Sequence, residues 1–129
     1  MAGEIKHTWT IKNVERFRVV TPIKDGNLIV VGDTIFQLDW DSTLMWDASV
    51  YGHHDFAFLP DESFYALTTD SSRDLNGYSL LFDSIVHISK EGDNLGVVWS
   101  SYAHKNELDK FYSPPSFSLL PDEERKEYE

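Results

Sequence analysis

The chain has 129 residues, 14% of them aromatic and none of them cysteine, and its formal charge at pH 7 is −11. This length corresponds to one domain, whose aromatic residues provide ample apolar area for a core, and the lack of cysteine excludes a disulfide framework and thiolate chemistry. So acidic a surface repels the backbone of nucleic acids, which is bound through Lys and Arg, and attracts basic proteins or cations.

The sequence predicts no insertion into a membrane. No apolar run reaches the length of a transmembrane helix, and the first ten residues, MAGEIKHTWT, lack the apolar core of a signal peptide. We therefore expect a soluble, cytoplasmic protein.

The first third of the chain predicts short strands. Apolar residues of one parity stand on either side of a polar turn at 13–15, which indicates a hairpin. They are Trp9, Ile11, Phe17 and Val19. A mainly β-branched run follows at 28–31, between turn signals at 25–26 and 32–33.

Residues 34–51 alternate between apolar and polar side chains, which is typical of strands with one buried face. One strand of this length would span roughly 55 Å, whereas so small a domain is about 30 Å across. The segment must therefore fold back, and the polar residues 41–43 are the natural turn. The expected pairs are Phe36 with Ala48, Leu38 with Trp46, and Trp40 with Leu44, which places every apolar side chain on one face.

The opposite face of this hairpin carries three carboxylates, Asp39, Asp41 and Asp47. Because carboxylates are seldom buried without a partner, we expect these side chains to face solvent. They are our predicted binding site for a basic partner.

The second half of the chain predicts two further hairpins. A strand through Phe56 and Phe58 ends at a turn over 59–62, and residues 63–69 return. Residues 70–77 are the most polar interior stretch and predict a loop. A strand over 78–89 follows, then a four-residue loop and a return strand, with Ile88 expected opposite Leu95 and Val86 opposite Val97.

The period changes near the C-terminus. Apolar residues at i, i+3 and i+4, followed by two prolines, predict a short helix over 106–112. The sum is a mainly β fold, an antiparallel sandwich or small barrel of about eight strands with one short C-terminal helix. We expect a single β-rich domain over 1–120 and an acidic polar tail over 121–129.

His53, His54 and Asp55 are the one compact group of metal-ligating residue types, and they are predicted to lie in a surface loop. Adjacent histidines in a regular strand point to opposite faces, so a shared metal would require an irregular loop. Motifs for a nucleophile elbow, a phosphate-binding glycine loop and a His-Glu-x-x-His zinc site are absent from the sequence.

The leading hypothesis is a small non-enzymatic binding protein, without a cofactor, whose acidic β-face docks a basic protein. An immunity or inhibitor protein, or a viral antagonist of a host defence protein, fits this description. The first alternative is a β-barrel that binds a small apolar ligand in a cavity lined by Trp46, Phe82 or Trp99. The second is a metal-dependent hydrolase using His53, His54 and Asp55.

Overall fold

The computed structural model describes residues 3–12, 14–75, 78–104 and 107, and for 71–75 and 78–80 it describes the backbone alone. Within these residues the chain forms eight strands. They are β1 (Phe17–Pro22), β2 (Leu28–Gly32), β3 (Ile35–Leu38), β4 (Leu44–Asp47), β5 (Gly52–Phe58), β6 (Phe64–Leu75), β7 (Tyr78–Ile88) and β8 (Asn94–Ser100). A single 3-10 turn, Lys24–Gly26, lies between β1 and β2.

The strands form two antiparallel sheets, each a four-stranded meander in chain order, β1 to β4 and β5 to β8. This architecture is a β-sandwich, so the predicted mainly β antiparallel fold is confirmed. The predicted helix over 106–112 lies outside the described residues except for Glu107, and the predicted tail over 121–129 lies outside them entirely. No helix in the described part of the chain has both the length and the apolar composition to cross a bilayer.

The main core lies between the two sheets. It contains residues of β2, β3, β6 and β7 together with Ala48, all of them at most 9% exposed. They are Ile29, Val31, Ile35, Ala48, Phe64, Ala66, Val86 and Ile88. Strands β2, β6 and β7 each contribute alternate residues, as expected for a sheet that buries one face against another.

A second, smaller core lies on the outer face of the first sheet, where Leu28, Val30, Phe36 and Leu38 are buried beneath the N-terminal segment. Trp9, Ile11 and Val14 cover this face. Because β2 is apolar on both faces, it needs a cover on each side. The predicted hairpin between residues 7–11 and 17–19 is therefore wrong: residues 3–12 form no strand, and β1 pairs with β2.

The chain crosses from one sheet to the other over residues 48–51. Ala48 donates its backbone N–H to the Ile35 carbonyl at 2.8 Å, and Gly52 opens β5 directly against the first sheet. A Cβ at Gly52 would lie 2.6 Å from Cγ1 of Val31, closer than side chains tolerate. Glycine at this position lets the two sheets approach each other.

The predicted register of the β3–β4 hairpin is wrong. Phe36 pairs with Asp47 and Gln37 with Trp46, whereas Ala48 lies beyond the last paired residue of β4. The turn begins one residue earlier than expected, because the backbone N–H of Asp39 binds the Thr43 carbonyl at 2.9 Å. Trp40 therefore lies in the turn and not in the strand. As a result, Phe36 and Leu38 of β3 do not lie opposite the apolar residues that the alternation predicted.

Other local predictions have mixed outcomes. Val86 pairs with Val97 as predicted, but irregular pairing shifts Ile88 to Asn94. Residues 70–75 continue β6 instead of forming a loop, and residues 76–77 lie outside the described part of the chain. Residues 52–55 belong to β5 instead of a surface loop.

Candidate functional site

Four connections meet at one end of the sandwich, which we call the loop end. They are residues 23–27, 39–43, 59–63 and 89–93. In an antiparallel meander alternate connections lie at the same end, which brings together the first two in one sheet and the last two in the other. Lys24 joins the two pairs, since its Nζ lies 3.0 Å from Oε1 of Glu62.

The loop end is strongly acidic. Its four loops contain seven carboxylates and two lysines, a formal charge of −5. The carboxylates are Asp25, Asp39, Asp41, Asp61, Glu62, Glu91 and Asp93; the lysines are Lys24 and Lys90. Each lysine lies near a glutamate of the loop end: Lys24 contacts Glu62 of another loop, and Lys90 lies 3.8 Å from Glu91 of its own loop. A ligand therefore meets mainly the remaining negative charge.

Hydrogen bonds keep two of these carboxylates ionised. The Ser63 hydroxyl and backbone N–H both donate to Oδ1 of Asp61, at 2.6 and 3.1 Å, and they lower the pKa of Asp61. The Lys24 ammonium group, by its hydrogen bond and its charge, lowers the pKa of Glu62. Both groups therefore stay ionised to a lower pH than an unperturbed carboxyl group does.

The N-terminal segment fixes the 39–43 turn. The His7 ring stacks on Trp40 with a centroid separation of 3.5 Å, and the Trp9 indole N–H donates to the Asp39 carbonyl at 3.1 Å. Thr10 adds a backbone bond to the Ser42 hydroxyl. Ring stacking and two hydrogen bonds from the N-terminal segment therefore hold the turn that carries Asp39 and Asp41.

An open cleft of about 590 Å³ lies between the sheets at the loop end. Its apolar wall is formed by Ile29, Trp46, Phe58 and Phe64, with aromatic ring centroids 5.8 Å apart for Phe58 and Phe64 and 6.1 Å apart for Trp46 and Phe64. Gln37, which is 8% exposed and donates from Nε2 to Sδ of Met45, also lines the cleft. The cleft therefore combines apolar contact area with one buried polar group, inside a charged rim.

The predicted aspartates divide between two regions. Asp39 and Asp41 lie in the loop end, where Asp39 accepts the Thr43 N–H at 2.7 Å. Asp47 is at the far end of β4, about 10 Å along the strand at its usual rise, and accepts bonds from the Thr34 hydroxyl and the Ser49 N–H. The three carboxylates thus do not form one row.

Sequence reasoning missed the other five carboxylates of the loop end. Each was recognisable as part of a turn, because it stands beside Gly, Pro or another acidic residue in a predicted connection. Their convergence depends on the meander topology, which brings together loops that are far apart in sequence.

The two histidines lie at the other end of β5, in an irregular stretch of the strand. His53 Nε2 is 2.9 Å from Oδ1 of Asp83, and the His54 ring is 4.8 Å from that of His53. Asp55 instead accepts the backbone N–H of Phe56. Over the residues that the structure describes, no three His, Asp or Glu side chains are grouped to hold a metal ion.

Ser63, His87 and Asp61 resemble the residue types of a hydrolytic triad, but their bonding differs. The Ser63 hydroxyl group donates its proton to Asp61. The Nε2 atom of His87 lies 2.9 Å from the Ser63 Oγ atom and therefore acts as a donor to that oxygen. An activated serine would instead donate its proton to the imidazole. Ser63 is 4% exposed, and the cluster stabilises the β5–β6 turn.

The three tryptophan and phenylalanine candidates for a ligand cavity also separate. Trp46 lines the cleft, whereas Trp99 stacks on His104 and Phe82 packs against Tyr102.

The chain matches no protein-family model, no curated protein and no solved structure.

Proposed function

We propose that this chain is a non-enzymatic binding protein whose loop end docks a segment of a basic protein. The single observation that supports this most is that the end of the sandwich with seven carboxylates also holds an apolar cleft, which three of these carboxylates line. The proposal keeps the predicted class of partner, and with it an immunity, inhibitor or viral antagonist role in the cytoplasm. It moves the docking surface from the β3–β4 face to the loop end.

Docking would have two components. Carboxylates around a cleft with low-dielectric walls concentrate the negative potential there and speed the approach of a cationic segment. An aliphatic or aromatic side chain of that segment would then pack on the exposed parts of Trp46 and Phe58 in the cleft wall, where desolvated contact provides most of the binding energy. The preferred partner segment thus has an apolar residue flanked by Lys or Arg.

Selection from a random peptide library displayed on phage tests this proposal. We expect the full chain to enrich peptides with an apolar residue between basic residues. Asp41→Lys combined with Asp93→Lys should weaken their binding by at least about tenfold, because each exposed ion pair contributes up to about 1 kcal/mol and the new lysines add repulsion.

The matched control is Glu15→Lys combined with Glu107→Lys, which changes the net charge equally at exposed positions away from the loop end. It should leave most of the affinity intact. Enrichment of acidic or neutral peptides, or equal losses in the two double variants, would refute docking at the loop end.

The cleft also favours a second candidate, a small apolar ligand, because its volume falls within the range of small-molecule sites. In this case apolar compounds should change the fluorescence of Trp46 and compete with the selected peptides. A library of such compounds that leaves both signals unchanged would remove this candidate.

A further inference from the structure

A separate cavity of about 430 Å³ lies beside β5, away from the loop end. Arg18 of β1 reaches it from the first sheet, whereas His53, His54 and Thr69 reach it from the second. Tyr51, in the connection between the sheets, also lines it. Residues from both sheets thus converge where β1 and β5 approach each other.

The backbone beside this cavity departs from regular sheet geometry. Gly52 pairs with Thr68 and Phe56 with Ala66, so three residues of β5 lie opposite a single residue of β6. Within this bulge His54 has a φ of 70°, in the left-handed region that is costly for a residue with a side chain. Bulges and strained residues are concentrated beside functional sites, where they direct a side chain away from the position it would take in a regular strand.

His53 is held in a defined orientation. Its side chain is 12% exposed, and its Nε2 lies 2.9 Å from Oδ1 of Asp83. Because an ionised carboxylate only accepts hydrogen bonds, the Nε2 atom carries the proton, which fixes the tautomer and the ring. The second ring nitrogen, Nδ1, takes no part in this bond.

Arg18 provides the positive charge of the cavity. No carboxylate among the described residues lies within ion-pair distance of it, so its planar guanidinium group is available to a ligand. A guanidinium group matches the oxygens of phosphate in a two-pronged geometry. Tyr51 and Thr69 also line the cavity, and each has a hydroxyl group that can donate a hydrogen bond.

One carboxylate, Asp70, also lines the cavity and has an interaction partner of its own. The negative charge of Asp70 repels a bare anion, but its carboxylate oxygens can accept hydrogen bonds from hydroxyl groups. A ligand that suits both Arg18 and Asp70 therefore combines an oxyanion with hydroxyl groups.

We propose that this cavity binds a phosphate monoester of a small hydroxylated compound. The phosphate contacts Arg18 and His54, with Tyr51 and Thr69 as hydroxyl donors, and the hydroxyl groups of the ligand face Asp70. Phosphate suits the site better than a carboxylate does, because it offers three oxygens to donors that approach from both sheets. This site is independent of the docking proposed at the loop end.

Titration of the full chain with glycerol 3-phosphate, followed by NMR of the histidine ring signals, tests the assignment. We expect saturable shifts of the His53 and His54 signals with a Kd of about 1 mM, since the site is open and makes few contacts. Inorganic phosphate should bind several-fold more weakly because it lacks the carrier's hydroxyl groups, and glycerol alone should produce no shift.

Two variants probe the contacts. Arg18→Gln should weaken binding at least tenfold, whereas Arg16→Gln removes the same charge two residues away and should have little effect. His54→Asn removes the imidazole while keeping a residue that tolerates a left-handed backbone, and it should also weaken binding.

The proposal fails if glycerol 3-phosphate produces no saturable shift at about 50 mM, a concentration far above the expected Kd. It also fails if sodium chloride at equal ionic strength produces the same shifts, or if Arg16→Gln and Arg18→Gln weaken binding equally. Arg18 is exposed, so its substitution leaves the core intact, and unchanged amide signals elsewhere in the spectrum would verify this.

Discussion

Ser63 controls the ionisation of Asp61 through two hydrogen bonds, from its hydroxyl and from its backbone N–H. These bonds lower the pKa of Asp61 in the folded chain relative to the unfolded chain. The corresponding stabilisation is therefore present above the unfolded pKa of about 3.8 and is lost as the pH falls through the lower folded value.

We predict that Ser63→Ala raises the pKa of Asp61 toward its ordinary value, because the hydroxyl donor is removed and the backbone donor remains. Carboxyl ¹³C NMR across acidic pH measures this directly. Ser101→Ala, which removes a hydroxyl bonded to the backbone of Asp83, is the control and should leave the Asp61 titration unchanged. An identical Asp61 midpoint in the natural chain and in Ser63→Ala would contradict the assigned cause.

At the scale of elements, the β7–β8 turn is positioned against the wall of the cleft. Gly92 has a φ of 90°, and a Cβ there would lie 2.5 Å from Cδ2 of the Trp46 ring. The turn and the edge strand β4 are thus in direct contact, and this contact supports one side of the cleft.

We predict that Gly92→Ala destabilises the fold by about 1–3 kcal/mol through backbone strain, with an added loss from the contact with Trp46. Gly96→Ala is the matched control, because Gly96 also has a positive φ, 115°, but open space around its Cβ position. Denaturant unfolding should show a larger loss of free energy for Gly92→Ala, accompanied by a change in tryptophan emission. Equal losses for the two variants would mean that the Trp46 contact contributes nothing.

The element scale also shows how far sequence reasoning reaches. Alternation identified the strands through Phe36 and Trp46 correctly, because period-two burial depends on local backbone geometry alone. It did not give their register, which depends on whether Trp40 belongs to the strand or to the turn. That choice is made by contacts with His7 and Trp9, 30 or more residues away in sequence, which alternation does not report.

For the candidate site, too, the sequence predicts local features but not the contacts between distant segments. Asp39 and Asp41 were identified from the sequence as acidic and exposed, and Asp41 is exposed in the structure whereas Asp39 is half-buried. Their association with the carboxylates of three other loops depends on topology, and so does the cleft beside them. The sequence pattern does not show which strands pair or in what order, so it does not specify which loops lie at the same end of the sandwich.

At the scale of the whole molecule, the negative charge is unevenly presented. The loop end carries seven carboxylates, and three of them, Asp25, Glu62 and Glu91, line the apolar cleft. An acidic surface that served solubility alone would not require carboxylates to line a cleft with aromatic walls. We propose on this basis that this end of the sandwich attracts and then anchors a basic partner.

The most direct test is the association rate of the tightest library-selected peptide, measured by stopped-flow fluorescence at increasing sodium chloride concentration. Steering by the loop end predicts that the association rate falls at least about tenfold between roughly 20 and 300 mM salt, because the Debye length shortens from about 20 Å to about 6 Å. The dissociation rate should change much less. An association rate that stays constant across this range would contradict the account.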